Sequence, residues 1–427
     1  MNGRRESGSY KSDGVFGIMA NVLATYVILF VIFGAFLEAS GAQRFFVDFP
    51  LAAVGHRVGG PAKVSVIASG LFGSISGSAI ANTVSTGNFT IPMMKKAGFR
   101  PHVAGAIEPA ASIGGMFMPP IMGAGGFIMA ELTGEPYSTI MLVAVFPALM
   151  YFFSVYVMVH YEAKRHDIRG ERSKTPAGTI FRRGWYYVLP LVVITVLMLM
   201  GYSPGYSAIV GLVACIAVSW LREDTRIGPR RFLETARTGA ENSLKIGATV
   251  GVIGIIIGVL TYSGLMLTFA DIMIALADGK LWLTILLVAL ASLILGMGVP
   301  VTAAYLITAV VAVPPLTEIG VNPIAAHMIV YWLSQDSNIT PPVCIAAFTG
   351  AAIAKADMWK TAFTAFKFAK FLYLAPFIFG YVPAFSLDGS GSDIAVAFVL
   401  IMVGTWAYSW LLSGIWLGWF KGKAANV

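Results

Sequence analysis

The sequence predicts an all-α, polytopic membrane protein built from two inverted repeats, each with a re-entrant helical hairpin and a broken helix. Three observations predict it: an apolar composition, an internal repeat at one ungapped offset, and an uneven placement of basic residues. Of the 427 residues, 57% are hydrophobic and 12% charged, with a mean hydropathy of +0.78. No ordinary soluble domain has that balance. Apolar segments of roughly 20 residues recur, the length needed to cross about 30 Å of hydrocarbon. The repeat centres on residues 73–120. Adding 222 takes Pro92 to Pro314, Gly98 to Gly320, Pro101 to Pro323, Ala104 to Ala326, Ser112 to Ser334, the pair Pro119-Pro120 to Pro341-Pro342, and Ala124 to Ala346. Several matches fall at Gly or Pro, where backbone geometry is constrained. The series reads as a duplicated unit of the kind membrane transporter folds contain.

Taken in order, residues 1–14 are polar and residues 15–39 form a first span. That span has no small-residue cleavage site, so no cleavable signal peptide is expected. Residues 44–60 read as an amphipathic arm with Arg44, Asp48 and Arg57 at the surface. Residues 61–72 are too short to cross. They end at Gly73-Ser74-Ile75-Ser76-Gly77-Ser78, small residues suited to an irregular turn buried in protein. The chain resumes apolar to Met94. Lys63 at one foot and Lys95 and Lys96 at the other put both ends on one side, a re-entrant hairpin with its tip near the midplane.

Residues 102–130 form a long span interrupted around Gly114, Gly115, Pro119 and Pro120, and residues 136–161 form the next. Lys164, Arg165, Arg169, Arg172, Lys174, Arg182 and Arg183 crowd the following loop, which the positive-inside rule makes cytoplasmic. Spans 185–200 and 206–221 return the chain to the same face at a second basic loop, 222–245. A span over 246–270 exits to Asp271 and Asp278. The second hairpin runs from 281 to 314 and turns at Gly296-Met297-Gly298-Val299-Pro300; its exit loop holds Glu318 and no Lys or Arg. The first hairpin stands on basic feet and the second, apart from Lys280, on acidic or neutral ones, so the copies are inverted. A second broken span, 322–354, leads to Lys355 and Lys360 inside. Spans 363–383 and 394–418 end at Lys421 and Lys423, again inside. The count leaves Arg4, Arg5 and Lys11 outside.

The net charge of +8 sits in loops, so membrane topology rather than nucleic acid accounts for it. Cys215 and Cys344 lie far apart in apolar segments, which indicates neither a disulfide framework nor a cysteine metal site. No P-loop, HExxH helix or Gly-x-Ser-x-Gly elbow occurs, so neither ATP hydrolysis nor covalent catalysis is expected.

The hairpin tips and helix breaks should converge near the midplane, where carbonyls and N–H groups without helical partners can serve ions and anions. The first tip offers Gly73, Ser74, Ser76, Gly77, Ser78 and Asn82; the second offers Gly296, Gly298 and Thr302. Ser112, Gly114 and Gly115 line one break, and the run 334–340, with Asp336, Asn338 and Thr340, lines the other. The competing reading is that these small residues only permit close helix packing. Intramembrane carboxylates are the sharper signal, since each costs roughly 2.5–3.5 kcal/mol at a helix centre. Glu108 and Asp336 are therefore candidate cation ligands or proton carriers, against the plainer reading of buried carboxylates satisfied by backbone N–H groups. Glu38 and Glu131 lie at span ends. His102 and His327 are expected to be solvated, and Lys367 and Lys370 to snorkel or pair with a partner subunit.

GLFGSISGSAIANT, IPMMKKAGFRP, MPPIMGAGGFIMAE, LGMGVPVTAAYL and NITPPVC resemble the large membrane subunit of tripartite ATP-independent periplasmic (TRAP) transporters. The resemblance runs from about Gly14 onward and looks closest to the type with a fused permease and a TAXI-type binding protein. It implies an elevator-type secondary transporter of the bacterial inner membrane that imports an organic acid on an ion gradient. It also implies two partners, a periplasmic substrate-binding protein and a small four-helix membrane subunit. The fused type's small-subunit helices are not in this sequence, so they belong either to a separate chain or to a fused half that is missing here. On this resemblance residues 1–60 are scaffold, 61–136 the first half of the transport domain and 137–270 further scaffold. Residues 271–358 are its second half and 359–427 the C-terminal spans. Many sodium-coupled relatives carry an Asp after the second hairpin glycines, where this chain reads Val299-Pro300-Val301-Thr302. The coupling ion is thus Na+ or H+, with no other cofactor expected. Two alternatives stand beside this reading: a carboxylate permease of similar build that needs no binding protein, and a passive channel. An intramembrane enzyme fits least.

Overall fold

A computed structural model describes residues 17–414. Arg4, Arg5, Lys11, Lys421 and Lys423 lie outside the described residues, as do the outer ends of the first and last spans. Apart from one isolated bridge between Val58 and Arg169, the regular structure is helical. Helix α1 (Ile18–Val22) continues through a π-helical segment, Leu23–Val27, into α2 (Ile28–Ala39), and Gly41 in the left-handed region turns the chain into the arm α3 (Ala42–Val54). Helices α4 (Gly60–Ser76) and α5 (Ala79–Lys96) form the first hairpin. The first broken helix is α6 (Pro101–Gly115), an irregular stretch, and α7 (Gly123–Thr133). Next come α8 (Tyr137–Arg165), α9 (Ala177–Gly184), a 3-10 turn, α10 (Leu189–Leu199) and α11 (Pro204–Ser219).

The second repeat contains α12 (Pro229–Tyr262), α13 (Leu265–Ala277), the hairpin α14 (Leu281–Leu295) and α15 (Val301–Glu318), and the broken helix α16 (Pro323–Leu333) and α17 (Ile345–Ala354). The offset of 222 carries the starts of α5, α6 and α7 onto those of α15, α16 and α17. Helices α18 (Met358–Phe368), α19 (Phe371–Tyr381) and α20 (Gly391–Ser413) close the chain.

The structure changes three expected boundaries and one expected exposure. The serine-rich run after residue 72 is not an irregular turn: α4 extends to Ser76, and only Gly77, at φ +62°, and Ser78 leave the helix. The span expected over 246–270 does not exist as such. Its helix begins at Pro229 and stops at Tyr262, where Gly264 at φ +69° redirects the chain into α13. The charges at its start belong to an exposed helical turn laced by Arg230–Glu234 and Arg237–Glu241 pairs four residues apart. Helix α13 is the second copy of the arm α3, a helix the sequence reading merged into its neighbours. The span expected over 363–383 starts at Met358 and is divided between α18 and α19 around Ala369 and Lys370. His327 is buried rather than solvated, with Nδ1 2.8 Å from the Tyr305 hydroxyl.

Side-chain contacts fix the relative direction of the repeats. Lys95, at the foot of the first hairpin, donates 2.6 Å to the carbonyl of Ala354 at the C-terminus of α17. A cation there satisfies a helix-end carbonyl and the negative end of the dipole. Next to it, the start of α6 packs on the end of α17. A Cβ on Gly350 would lie 2.1 Å from the Gly105 carbonyl oxygen, so the two backbones cross at glycine-only distance. At the other end Asn322 Nδ2 meets Asp388 Oδ2 at 3.4 Å. One broken helix starts where the other finishes. The copies are antiparallel.

Aromatic side chains fill the seam between them. Phe117 in the first break stacks on Trp332 at 4.0 Å, with Tyr151, Phe371 and Phe379 around the indole. Apolar residues left exposed concentrate on α10, α12, α13 and α20, the pattern of helices solvated by lipid. Among the described residues, seven helices are long and apolar enough to cross a membrane.

Candidate functional site

Both hairpin tips and both breaks open onto one cavity of about 380 Å³. Ser76, Gly77 and Ser78 line it from the first tip; Gly296, Gly298 and Thr302 from the second; Gly123 and Ala124 from the first break; and Ser337 and Asn338 from the second. Phe30 and Phe127, stacked at 4.7 Å, form part of its wall. Among the described residues, no charged side chain lines it. What faces it instead is helix N-termini. Helix α5 begins at Ala79, α7 at Gly123, α15 at Val301 and α17 at Ile345, and all four residues line the cavity. Each N-terminus carries unpaired N–H groups and about half a positive charge. Such ends attract anions without a basic side chain.

Local sequence explains why the helices start there. Ser78 caps α5, its hydroxyl accepting from Ala81 N at 3.3 Å. Pro300, with no N–H to lose, precedes Val301. Pro119-Pro120 and Pro341-Pro342 stop α6 and α16 from running through.

The predicted site residues divide into three groups. Ser76, Gly77, Ser78, Gly296, Gly298, Thr302 and Asn338 line the cavity. Gly73, Gly114 and Gly115 are packing positions: a Cβ on Gly115 would sit 2.4 Å from Gly73 Cα, and one on Gly114 within 2.7 Å of Tyr151 and Phe152. Ser74 bonds its own helix at Leu71 O, and Thr340 is held by the Tyr373 hydroxyl at 2.6 Å. The third group is buried and incompletely paired. Asn82 donates to Ser69 O at 3.0 Å while its Oδ1 has no protein partner, and Ser112 Oγ, Asp336 Oδ1 and Asn338 Nδ2 share that condition. Gln335 Oε1 and Ser292 Oγ, which the sequence reading did not single out, do so as well. Buried polar atoms are ordinarily bonded, and these lie on the hairpin helices and at the breaks without a protein partner. Oxygens predominate among them, as a hard cation requires.

Glu108 is fully buried in α6, outside the cavity. It is not satisfied by backbone N–H groups, as the plainer reading supposed. Hydroxyls of Ser65 and Thr90 donate to Oε2; those of Ser69 (2.5 Å) and Thr86 donate to Oε1. The sequence did hold a signal for these four: Ser65/Ser69 and Thr86/Thr90 are pairs four residues apart on the two hairpin helices, each therefore on one helix face. Lys370, also buried, donates to Ser154 O at 3.3 Å.

The family model for the tripartite ATP-independent periplasmic transporter, DctM component, matches residues 12–385. The chain belongs to this family. It is 25% identical over 372 residues to the C4-dicarboxylate TRAP transporter large permease protein DctM of Pseudomonas aeruginosa, covering 84% of each chain. It is 24% identical over 359 residues to the 2,3-diketo-L-gulonate TRAP transporter large permease protein YiaN of Escherichia coli, covering 83% of each. Among solved structures it matches the Alcanivorax borkumensis YdaH transporter, described as having an unusual topology, at TM-score 0.57 and 16% identity over 90% of each chain. That likeness concerns the fold. The family is one of transporter permeases, not of enzymes. With the seven candidate spans it makes this a multi-pass protein of the bacterial inner membrane. Membership also implies a periplasmic binding protein and a small membrane subunit as partners.

Proposed function

We propose that the chain is the permease of a secondary active importer, moving a small organic acid delivered by a periplasmic binding protein on a Na+ or H+ gradient. The observation that carries this reading is the cavity onto which four helix N-termini open, with no charged side chain among the described residues that line it. A carboxylate fits such a site: the oriented N–H groups favour the anion, and the absence of a fixed cation lets it leave again. Relatives named as permeases for C4-dicarboxylates, 2,3-diketo-L-gulonate and sialic acid all concern acids, which supports the class. Substrate and ion would move with the two hairpins and breaks as one block against α2, α10, α11 and α12, an elevator motion. A separate four-helix subunit completes the scaffold in this reading.

Reconstitution in proteoliposomes with the small subunit tests it. Uptake of a radiolabelled acid should require both an imposed ion gradient and the cognate binding protein. Uptake that proceeds equally without the binding protein would make the chain a stand-alone permease, and flux insensitive to any gradient would make it a channel.

A further inference from the structure

We propose that the carboxylate of Glu108 and the hydroxyls of Ser65, Ser69, Thr86 and Thr90 form a dedicated proton-binding cage, separate from the substrate cavity. The inference rests on the reading of gradient-driven import and names the ion and its seat. The carboxylate stands on α6, whereas its four hydroxyl partners come from both arms of the first hairpin, Ser65 and Ser69 on α4 and Thr86 and Thr90 on α5. All five residues are buried to within 1% exposure.

Counting protons shows what the cage lacks. Besides its contact with Glu108, Thr86 Oγ1 lies 2.7 Å from Asn82 O and 3.1 Å from Ser69 Oγ, and Thr90 Oγ1 lies 3.1 Å from Thr86 O. Four hydroxyls own four protons, and the oxygen–oxygen contacts outnumber them. With Glu108 ionised, all four protons point at the carboxylate and the helix carbonyls wait. With Glu108 protonated, its own hydrogen serves one contact, and Thr86 and Thr90 turn their protons to Asn82 O and Thr86 O. Both states are well bonded, and interconversion needs only hydroxyl rotation and one added proton on a carboxylate oxygen.

No cation among the described residues pairs with Glu108. Lys63 at the foot of α4 contacts His160 and the Tyr156 ring, and Lys95 at the foot of α5 contacts Ala354 O. Helix α17 carries no titratable residue. On α18, Lys360 and Lys367 are the titratable groups, and on α8 Glu162 is taken by Arg100 at 2.9 Å while the Tyr151 hydroxyl donates to Ala110 O. Neutralisation of the cage therefore falls to the proton. The cage also reaches the tip, because Asn82, whose carbonyl is the alternative acceptor for Thr86, donates its side chain to Ser69 O. Protonation thus bears on how the hairpin is clasped.

Infrared difference spectroscopy on the purified, nanodisc-embedded protein reads the proton without transport. Titration across roughly pH 5 to 9 should reveal a carboxylic-acid C=O band that disappears in Glu108→Gln and survives in Asp336→Asn. In Thr86→Val, which removes one hydroxyl and keeps the shape, the band should remain and change frequency. Exchange of sodium for choline should leave it unmoved. In proteoliposomes Glu108→Gln should retain substrate exchange while pH-gradient-driven accumulation falls about tenfold or more. A band that persists in Glu108→Gln, a band displaced by sodium, or wild-type accumulation by Glu108→Gln would each overturn the proposal. Independence from the binding protein would instead count against the import reading and leave the band as predicted.

Discussion

Tyr331 belongs to the second repeat, yet its hydroxyl lies 2.8 Å from Met116 O and 2.6 Å from Met122 O, at the two ends of the first break. From α8, Tyr137 does the same for Pro120 O and Ile121 O, at 2.8 and 2.7 Å. A broken helix leaves carbonyls without partners, and here two phenols supply the donors in a water-poor interior. Tyr331→Phe should lower stability by about 1–3 kcal/mol, the cost of leaving a buried acceptor unpaired, read as a lower thermal midpoint of the purified protein. Gly115→Ala should also destabilise, by about 1–3 kcal/mol of overpacking, since its Cβ would strike the backbone of Gly73. Gly178→Ala, where a Cβ meets nothing within 4 Å, is the control and should leave the midpoint unchanged. At this scale the sequence showed that Gly73 and Gly115 matter without showing why. They are contact points between helices, and a contact between residues 42 positions apart has no local signature. The four hydroxyls around Glu108 were legible in principle, through their spacing of four, once the two hairpin helices were known to face α6.

Among the elements, the duplicated hairpin and broken helix were read correctly because their boundaries are written in residues with strong backbone preferences. Pro at a helix start, Gly in the left-handed region and Pro-Pro in a break act locally. The arm α13 was missed for the converse reason. Residues 246–277 are apolar nearly throughout, and hydropathy does not register a bend at Ser263-Gly264 inside an apolar run. The repeat itself would have found it, as the offset of 222 carries α3 onto α13. Orientation of the hairpins in the membrane is testable directly. With single cysteines at Lys96 and at Glu318, an impermeant maleimide should label the first only from the cytoplasm and the second only from the periplasm. Labelling of both from one face would be incompatible with antiparallel repeats that straddle the bilayer.

For the whole molecule, the elevator reading makes a demand that a fixed pore does not. Val27, on the first span, and Ala124, at the start of α7, both line the cavity and the narrow cleft beside it. Cysteines at both positions joined by a short bifunctional thiol reagent should stop uptake, and a reducible linker should restore it on cleavage. Continued transport with the link intact would exclude relative motion of these elements. The amino-acid sequence by itself determined the membrane setting, the duplication, the hairpins and breaks, and the small polar residues at their tips. Composition, proline and glycine positions and basic loops are one-dimensional signals of solvent and backbone geometry. Only the tertiary structure decided that four helix N-termini share one cavity, that Gly73 and Gly115 meet as a packing contact, and that Glu108 is enclosed by hydroxyls. Those facts depend on which faces of distant helices meet, and antiparallel packing of two copies brings together residues that no spacing along the chain relates.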